Sequence, residues 1–240
     1  MTSANIVGYD TESVVDGKLN MKGVMFSAVS GEAIDLNKDV KVANLVPGED
    51  ETRADQILVY RPATSSYITY YYYNAEGDEE NWGWTDVNWE ESTQFPAGTG
   101  FWFKGYIPNG GSAKDKTITI SGAVETDEDI TFSVVDGKLN MLSNPFPTAL
   151  DLNDSKTIDF VNNLPGEDET SADQILIYRP SRNGYITYYN YNAEGDEENW
   201  GWTDVNWEES TVIPAGAGFW YKGFKKGDAK EKKVVFKKAF

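Results

Sequence analysis

The chain has 240 residues, a formal net charge of −18, and neither cysteine nor histidine. The missing residue types exclude disulfides, thiol and imidazole nucleophiles, histidine bases, and metal centres built on nitrogen or sulfur ligands. The negative charge repels phosphate groups, so we expect no binding to nucleic acid or to anionic membrane surfaces. No apolar run is long enough to cross a bilayer as a helix, so we also expect no membrane insertion.

The elements predicted in chain order are almost all β-strands. Runs of β-branched and aromatic residues that end at turn residues predict strands at Lys18–Met21, Gln56–Tyr60, Tyr67–Tyr73, Thr99–Lys104 and Thr117–Ile120. No window has a long apolar period of 3.6 residues, although one short helix is predicted near Asp35–Val42 and another near Asp151–Phe160. About seven short strands in each half predict an all-β fold of the β-sandwich or barrel-like kind.

The second half of the chain repeats the first. Val-Val-Asp-Gly-Lys-Leu-Asn-Met at 14–21 recurs at 134–141, and Tyr67–Thr93 matches Tyr185–Thr211 at 26 of 27 positions. This period is far longer than that of a solenoid, so each repeat is expected to be a complete domain. We therefore predict two tandem homologous domains, residues 1–122 (copy 1) and residues 123–240 (copy 2). The linker is too short for a flexible tether, which favours a fixed contact between the copies.

Copy 2 contains three motifs in a recognisable order: Asn140-Met-Leu-Ser-Asn-Pro-Phe-Pro147, Ile175-Leu-Ile-Tyr178 and Ile213-Pro-Ala-Gly-Ala-Gly-Phe-Trp220. This order resembles a β-repeat of large secreted and cell-surface proteins of bacteria, and the resemblance covers nearly all of each copy. Copy 1 departs from it at Gly23-Val-Met-Phe26. The resemblance implies export and no particular chemistry. The start, Met1–Asn5, has no basic or apolar signal region, so we expect a secreted or cell-surface protein whose signal peptide is absent from this sequence.

Residues 74–93 (the acidic loop of copy 1) and residues 192–211 (the acidic loop of copy 2) contain many carboxylates and no Lys or Arg. Calcium takes six to eight oxygen ligands, so these segments are candidate calcium sites, although their spacing matches no EF-hand loop. The candidate ligands are Glu76, Asp78, Glu79, Glu80 and Asp86 in copy 1, and Glu194, Asp196, Glu197, Glu198 and Asp204 in copy 2. The alternative is a solvated acidic hairpin without a cofactor.

The same loops contain Trp82, Trp84 and Trp89 in copy 1, and Trp200, Trp202 and Trp207 in copy 2. Indole faces suit the C–H faces of sugars, and carboxylates accept hydrogen bonds from sugar hydroxyls, so these residues are candidate glycan ligands. In a strand, Trp82 and Trp84 would lie on one face. The alternative is that the indoles pack in the core or between the copies. A glycosidase needs two carboxylates at a defined separation and a tuned pKa, and no His, Lys or Arg lies nearby, so we expect no enzyme activity.

Two smaller motifs have structural interpretations. Asp35-x-Asn37-x-Asp39 imitates half of a calcium loop but lacks the glycine and the final glutamate, so an Asx-turn or a helix N-cap is expected. Gly98-Thr-Gly100 and Gly216-Ala-Gly218 precede strand-like residues rather than a phosphate loop, so a tight turn is expected.

Residues 222–240 hold eight lysines and only two acidic residues. A basic terminal strand could dock on the acidic face of a neighbouring molecule, which favours self-association or binding to another surface protein. The alternative is that the lysines protect an exposed sheet edge. The sequence as a whole favours a non-catalytic secreted or cell-surface module of structural or adhesive character that can self-assemble, with a carbohydrate-binding module as the alternative.

Overall fold

A computed structural model describes residues 6–126, 128–179 and 184–238, so the start at Met1–Asn5 lies outside the described residues. The described chain is nearly all β, and its six sheets form two groups of three. The predicted all-β fold with two β-sandwich-like domains is therefore confirmed. Within the described part of the chain, no helix has the length and apolar character needed to span a membrane.

Within the described residues, each copy contains ten strands. The strands of copy 1 are β1 (Val7–Val14), β2 (Leu19–Gly23), β3 (Ile34–Asp35), β4 (Val40–Val42), β5 (Gln56–Arg61), β6 (Ser66–Tyr73), β7 (Gly83–Asp86), β8 (Gln94–Phe95), β9 (Gly100–Lys104) and β10 (Lys116–Ala123). The last of these extends one residue past residue 122 and pairs with β1 along its whole length. The strands of copy 2 are β11 (Ile130–Val134), β12 (Leu139–Ser143), β13 (Leu150–Asp151), β14 (Ile158–Val161), β15 (Gln174–Arg179), β16 (Gly184–Tyr191), β17 (Gly201–Asp204), β18 (Val212–Ile213), β19 (Gly218–Lys222) and β20 (Lys232–Phe236).

The two copies have the same antiparallel topology. In copy 1 a five-stranded sheet has the order β2-β9-β5-β6-β7, a three-stranded sheet has the order β1-β10-β4, and β3 pairs with β8. In copy 2 the corresponding orders are β12-β19-β15-β16-β17, β11-β20-β14 and β13-β18. The last strand of each copy is thus the central strand of a sheet. The prediction that the terminal lysines protect a sheet edge is wrong, because β20 has a neighbour on each side.

The predicted short helix forms in copy 1 only. It is α1 (Leu36–Asp39), which is shorter than predicted and continues directly into β4. In copy 2 the predicted helix near Asp151–Phe160 is replaced by turns followed by β14. Asp154 accepts a hydrogen bond from the backbone N–H of Lys156, which closes a turn in place of a helix.

Aromatic residues are buried on both faces of each five-stranded sheet. On β9, Phe101 and Phe103 point into the core of copy 1, and Trp102 between them points the other way. All three are buried, and Trp102 is buried because the second copy covers the outer face. On β19 the equivalent residues are Phe219, Trp220 and Tyr221. The molecule is therefore a stack in which the two five-stranded sheets lie in the middle.

The contact between the copies is reciprocal. Trp102 packs edge-on against Tyr178 with ring centroids 5.3 Å apart, and Trp220 packs edge-on against Tyr60 at 5.0 Å. The two contacts pair equivalent residues: copy 1 supplies the tryptophan in one contact, and copy 2 supplies it in the other. This reciprocity is the pattern of a two-fold symmetric interface. The rest of this interface cluster is apolar and consists of Met21, Leu58, Leu139, Met141 and Leu176. The expectation of a fixed contact between the copies agrees with this geometry.

The glycine turns lie beside the contact between the copies. Gly98 has φ +88°, and the backbone N–H of Thr99 donates to Pro96, as expected for a tight turn. A Cβ at Gly98 would lie 2.3 Å from the ring of Phe132 in copy 2. Glycine is thus needed here both for its conformation and for the close approach of the other copy.

Candidate functional site

The two acidic loops lie at the outer edge of the five-stranded sheets. In copy 1 the chain leaves β6, passes through a 3-10 turn at Glu79–Asn81 and returns as the edge strand β7. In copy 2 the chain leaves β16, turns at Glu197–Asn199 and returns as β17. Each loop therefore projects from the last hairpin of its sheet.

Two tryptophans in each acidic loop are half exposed and held in place. Trp82 is 48% exposed, and its indole N–H donates to the carbonyl of Ala75 at 2.9 Å. Trp89 is also 48% exposed, and its ring packs edge-on against Tyr73 at 4.8 Å. Trp89 has φ +63°, which costs a bulky residue on the order of 1–3 kcal/mol and is typical of functional sites. The same contacts recur in copy 2 at Trp200, Ala193, Trp207 and Tyr191.

The third tryptophan of each loop is part of the core. Trp84 is 4% exposed and packs edge-on against Tyr72, while Trp202 is 5% exposed and packs against Phe160. Trp82 and Trp84 do not share an exposed face, because Trp82 lies before β7 in the turn rather than within the strand. Trp84 and Trp202 therefore cannot contact a ligand, and the candidate glycan ligands reduce to Trp82, Trp89, Trp200 and Trp207.

The loop carboxylates do not converge on one point. Across residues 6–126, 128–179 and 184–238, no group of three acidic side chains is placed to hold a metal ion. Asp78 instead accepts hydrogen bonds from the Tyr73 hydroxyl at 2.7 Å and from the Asn81 amide at 2.6 Å. Glu76, Glu79 and Glu80 are exposed to solvent. The corresponding residues of copy 2, Glu194, Asp196, Glu197 and Glu198, have the same placement.

Asp86 and Asp204 organise the turn that presents Trp89 and Trp207. The buried carboxylate of Asp86 accepts hydrogen bonds from the backbone N–H groups of Asn88, Glu90 and Glu91 at 2.8–2.9 Å. Burial acts to raise the pKa of Asp86, but these backbone donors outweigh it, so the pKa lies below its ordinary value. Asp204 has the same bonds and the same lowered pKa. Both carboxylates are structural parts of their loops rather than free ligands.

We expect Asp86→Asn to lower stability by about 1–3 kcal/mol at pH 7, because a neutral amide replaces a charged acceptor of three hydrogen bonds. A carboxyl whose pKa is lower in the folded state stabilises the fold above its unfolded pKa of about 3.9, and this contribution is lost as the pH falls through the folded value. The difference between wild type and variant, measured by urea unfolding, should therefore shrink between pH 5 and strongly acidic pH. Glu90→Gln, at an exposed residue of the same turn, is the control. A penalty that stays constant with pH would contradict this role.

A groove lies beside each acidic loop. β7 pairs only with Tyr70–Tyr73, so β6 runs past it, and Tyr67 and Thr69 line a groove together with Asp86 and Asn88. Its volume is about 230 Å³ in copy 1 and about 290 Å³ in copy 2, close to the lower limit for small-ligand sites. The lining residues in copy 2 include Tyr185, Thr187, Asp204 and Asn206. The two grooves thus repeat at equivalent positions.

The motif Asp35-x-Asn37-x-Asp39 caps α1 and supports the acidic loop of copy 1. Asp35 is the N-cap of α1 and accepts a hydrogen bond from the backbone N–H of Asn37 at 3.0 Å, so the predicted capping role is confirmed. The Asn37 side chain accepts from the Trp84 N–H at 2.6 Å and donates to the Trp84 carbonyl at 3.1 Å. The Asn37 amide therefore forms hydrogen bonds with the free side of the edge strand β7, as a neighbouring strand would. Asn153 makes the same two bonds to Trp202.

Each copy contains a buried lysine that no local pattern in its sequence predicts. In copy 2, Lys232 on β20 and Asp173 beside β15 have fully buried side chains, and Lys232 Nζ lies 2.6 Å from Asp173 Oδ1. In copy 1, Lys116 Nζ lies 2.7 and 2.6 Å from the two carboxylate oxygens of Asp55, and both side chains are again fully buried. Each ion pair connects the three-stranded sheet of its copy to the five-stranded sheet.

A second aspartate completes each of these buried lysine centres. Asp136 Oδ1 lies 3.1 Å from Lys232 Nζ, and Asp16 Oδ1 lies 3.6 Å from Lys116 Nζ; both aspartate side chains are 2% exposed. Glycine makes room for them, because a Cβ at Gly223 would lie 2.7 Å from Asp136 Oδ1. One lysine of the basic terminal segment is therefore part of the core. Of the others, Lys233 pairs with Glu231, and Lys237 pairs with Asp129.

Comparison with known proteins places the chain in no family. No protein-family model and no curated protein matches it. PNGase F, a glycosylasparaginase from Flavobacterium meningosepticum, matches at 12% identity over 98% of this chain and 97% of that chain, with a TM-score of 0.21. A recombinant N-glycanase F (PNGase F) matches at 14% identity over 98% of this chain and 90% of that chain, with a TM-score of 0.14. Scores this low do not establish a shared fold.

Proposed function

We propose that the protein is a non-catalytic adhesive module, secreted or displayed on the cell surface, which binds its ligand through the acidic loop of each copy. The observation that carries the proposal is the pair of half-exposed indoles in each loop, Trp82 with Trp89 and Trp200 with Trp207. Large apolar side chains that are exposed to water and held in place by fixed contacts are typical of a binding surface. Their contacts are the same in both copies, so we infer two equivalent sites.

The ligand class that fits these loops best is a neutral glycan. Indole faces pack against the apolar faces of sugar rings, and the exposed carboxylates of Glu76, Glu79 and Glu80 are acceptors for sugar hydroxyls. The net charge of −18 disfavours anionic ligands. The neighbouring groove has room for a small group, such as part of one sugar unit.

The protonation state of the loop carboxylates supports binding without catalysis. A glycosidase requires one carboxylic acid that stays protonated as the general acid. The hydrogen bond from Tyr73 lowers the pKa of Asp78, and the backbone donors around Asp86 lower the pKa of that residue. Both groups are therefore ionised at neutral pH and are poor proton donors.

The fixed contact between the copies supports a bivalent mode of binding. The reciprocal Trp102 and Trp220 contacts hold the two five-stranded sheets, and with them both loops, in one orientation. Two linked sites bind a repetitive ligand more tightly than one, provided that the geometry lets both engage. A polysaccharide or a densely glycosylated surface has the repetitive character that such a module needs.

We expect wild-type protein to bind a neutral glycan saturably on an array, and Trp82→Ala with Trp200→Ala to weaken the binding by about tenfold or more. A tenfold loss of affinity corresponds to about 1.4 kcal/mol, which is the binding free energy expected from one aromatic contact and the surface that it buries. Changing only one copy should cost less than changing both, since one site remains. Trp89→Asn with Trp207→Asn tests the second indole with a residue that tolerates positive φ.

The matched control is Tyr9→Ala, which removes an exposed aromatic ring on β1, away from the loops. Affinity should be unchanged in this variant. The proposal fails if no neutral glycan binds, or if Tyr9→Ala weakens binding as much as the loop variants do.

A further inference from the structure

We propose that each buried lysine centre forms an intramolecular isopeptide bond, between Lys232 Nζ and Asp173 Cγ in copy 2 and between Lys116 Nζ and Asp55 Cγ in copy 1. The observation behind this proposal is that amine and carboxyl groups are already in contact distance, at 2.6–2.7 Å between nitrogen and oxygen, in a site closed to water. The inference does not depend on the ligand of the acidic loops.

Burial favours condensation over the ion pair. Two opposite charges in the interior have lost their hydration, and their mutual attraction often only balances that cost. An amide in their place carries no net charge, and the water produced leaves for bulk solvent. Fixing the two groups side by side also converts a bimolecular reaction into a unimolecular one, which is worth up to about 7–11 kcal/mol of barrier.

The second aspartate supplies the proton transfer that the reaction needs. Asp136 Oδ1 lies 3.1 Å from Lys232 Nζ, yet within the described residues this buried atom has no hydrogen-bond partner of good geometry. Burial acts to raise the pKa of Asp136, but the backbone N–H of Lys230 and the Lys232 ammonium outweigh it, so this carboxylate is ionised and free to accept a proton. Its unpartnered oxygen faces the ammonium group, and a proton taken there is only weakly held and can be returned later in the reaction. Asp136 is thus the expected proton carrier in copy 2. Asp16 holds the equivalent position in copy 1, where its Oδ1 lies 3.6 Å from Lys116 Nζ and also accepts a hydrogen bond from the backbone N–H of Gly17.

The electrophile is held by donors on both oxygens. In copy 2 the Asp173 carboxylate accepts hydrogen bonds from the backbone N–H of Leu164 at 3.0 Å and of Phe224 at 2.6 Å, and from the Tyr221 hydroxyl. Burial raises the pKa of Tyr221, so the phenol keeps its proton and remains a donor. Such donors stabilise the negative charge that develops on oxygen when the amine attacks.

The atoms of the reaction balance without any other reactant. The Lys232 ammonium gives a proton to Asp136, the neutral amine attacks Asp173 Cγ, and a C–N bond forms. One carboxylate oxygen leaves as water with two of the three ammonium hydrogens, the second delivered by Asp136, and the third hydrogen stays on the amide nitrogen. Asp136 ends as it began, as a carboxylate. No oxidation or reduction occurs.

The test is the intact mass of the full chain under denaturing conditions. We expect the mass to fall short of the sequence mass by two water molecules, and digestion to yield one branched peptide that joins residues 173 and 232 and another that joins residues 55 and 116. Lys232→Met and Lys116→Met should each restore one water mass. Lys233→Met, next to Lys232 but partly exposed, should restore none.

A succinimide would produce the same loss of mass and must be distinguished from the isopeptide bond. Asp16-Gly17 and Asp136-Gly137 are sequences in which a succinimide also forms with loss of water. Hydroxylamine opens a succinimide and leaves an amide intact, so the mass deficit should survive this treatment. A wild-type chain of full sequence mass would overturn the proposal, and so would a deficit that hydroxylamine removes. A deficit of one water, traced to one branched peptide, would support the bond in that copy and overturn it in the other.

Discussion

Replacing Lys232 with methionine should destabilise copy 2 by about 3–5 kcal/mol, because it leaves buried carboxylates without their cation. The side chains of Lys232 and Asp173 are fully buried, and Asp136 is nearly so, hence the remaining carboxylates are not in contact with bulk water. If the isopeptide bond is present, the loss should be larger, since closing a loop of about 60 residues contributes on the order of 4 kcal/mol. Urea unfolding followed by fluorescence measures the change.

The neighbouring residue provides a matched control for this variant. Lys233 lies on the same strand, is 37% exposed on its side chain and pairs with Glu231. Exposed ion pairs contribute roughly 0–1 kcal/mol, so Lys233→Met should change the stability little. Equal effects of the two substitutions would show that the buried centre has no special role in stability.

Replacing Trp102 with alanine should lower stability by about 3–5 kcal/mol and should separate the unfolding of the two copies. Trp102 is 4% exposed although it points out of its own domain, because Tyr178 and its neighbours in copy 2 cover it. The substitution leaves a cavity between two sheets that each have their own core. We therefore expect one cooperative transition in the wild type and two in the variant.

Trp84→Ala is the comparison for this prediction. Trp84 is as buried as Trp102, but it packs within copy 1 against Tyr72. This variant should lower the stability of copy 1, as measured by hydrogen exchange, while the contact between the copies stays in place. If Trp102→Ala unfolds in one transition with an unchanged midpoint, the interface does not couple the copies.

The parts of the fold that follow from local pattern could be predicted from the sequence. The strands of β-branched and aromatic residues, such as Tyr67–Tyr73, lie where the pattern puts them. Local pattern does not predict the short strand β7, Gly83–Asp86, because glycine and aspartate disfavour strands. Hydrogen bonds to the Asn37 amide and pairing with β6 hold this strand in place. Long-range contacts of this kind leave no local signal.

The orientation of the tryptophans could not be predicted for the same reason. Alternation places Phe101 and Trp102 on opposite faces, but it cannot tell that a second copy covers the outer face. In the acidic loop of copy 1, a turn that ends at Trp82 changes the phase of the alternation between exposed and buried side chains, so Trp84 points into the core. Exposure of Trp82 and Trp89 depends on this turn and not on residue type.

The buried lysine centres run against the usual expectation that lysine is exposed. A comparison of the two copies contains a signal for them. Lys116 and Lys232 occupy equivalent positions on strands whose other residues differ almost completely, Lys-Thr-Ile-Thr-Ile against Lys-Lys-Val-Val-Phe. Asp55 and Asp173 are also retained, but they lie in the nearly identical segments 54–58 and 172–176 and give no such signal. A charged residue kept within diverged strands indicates a partner in the interior.

The central position of the last strand in each copy affects how the protein folds. β1 and β4 have no hydrogen-bonded neighbour in their sheet until β10 arrives, and β11 and β14 depend on β20 in the same way. Each copy therefore has an incomplete sandwich until its final strand is available, whether the chain folds on the ribosome or after export. Because copy 1 emerges first in either case, a completed domain is available as a template against which the five-stranded sheet of copy 2 can dock.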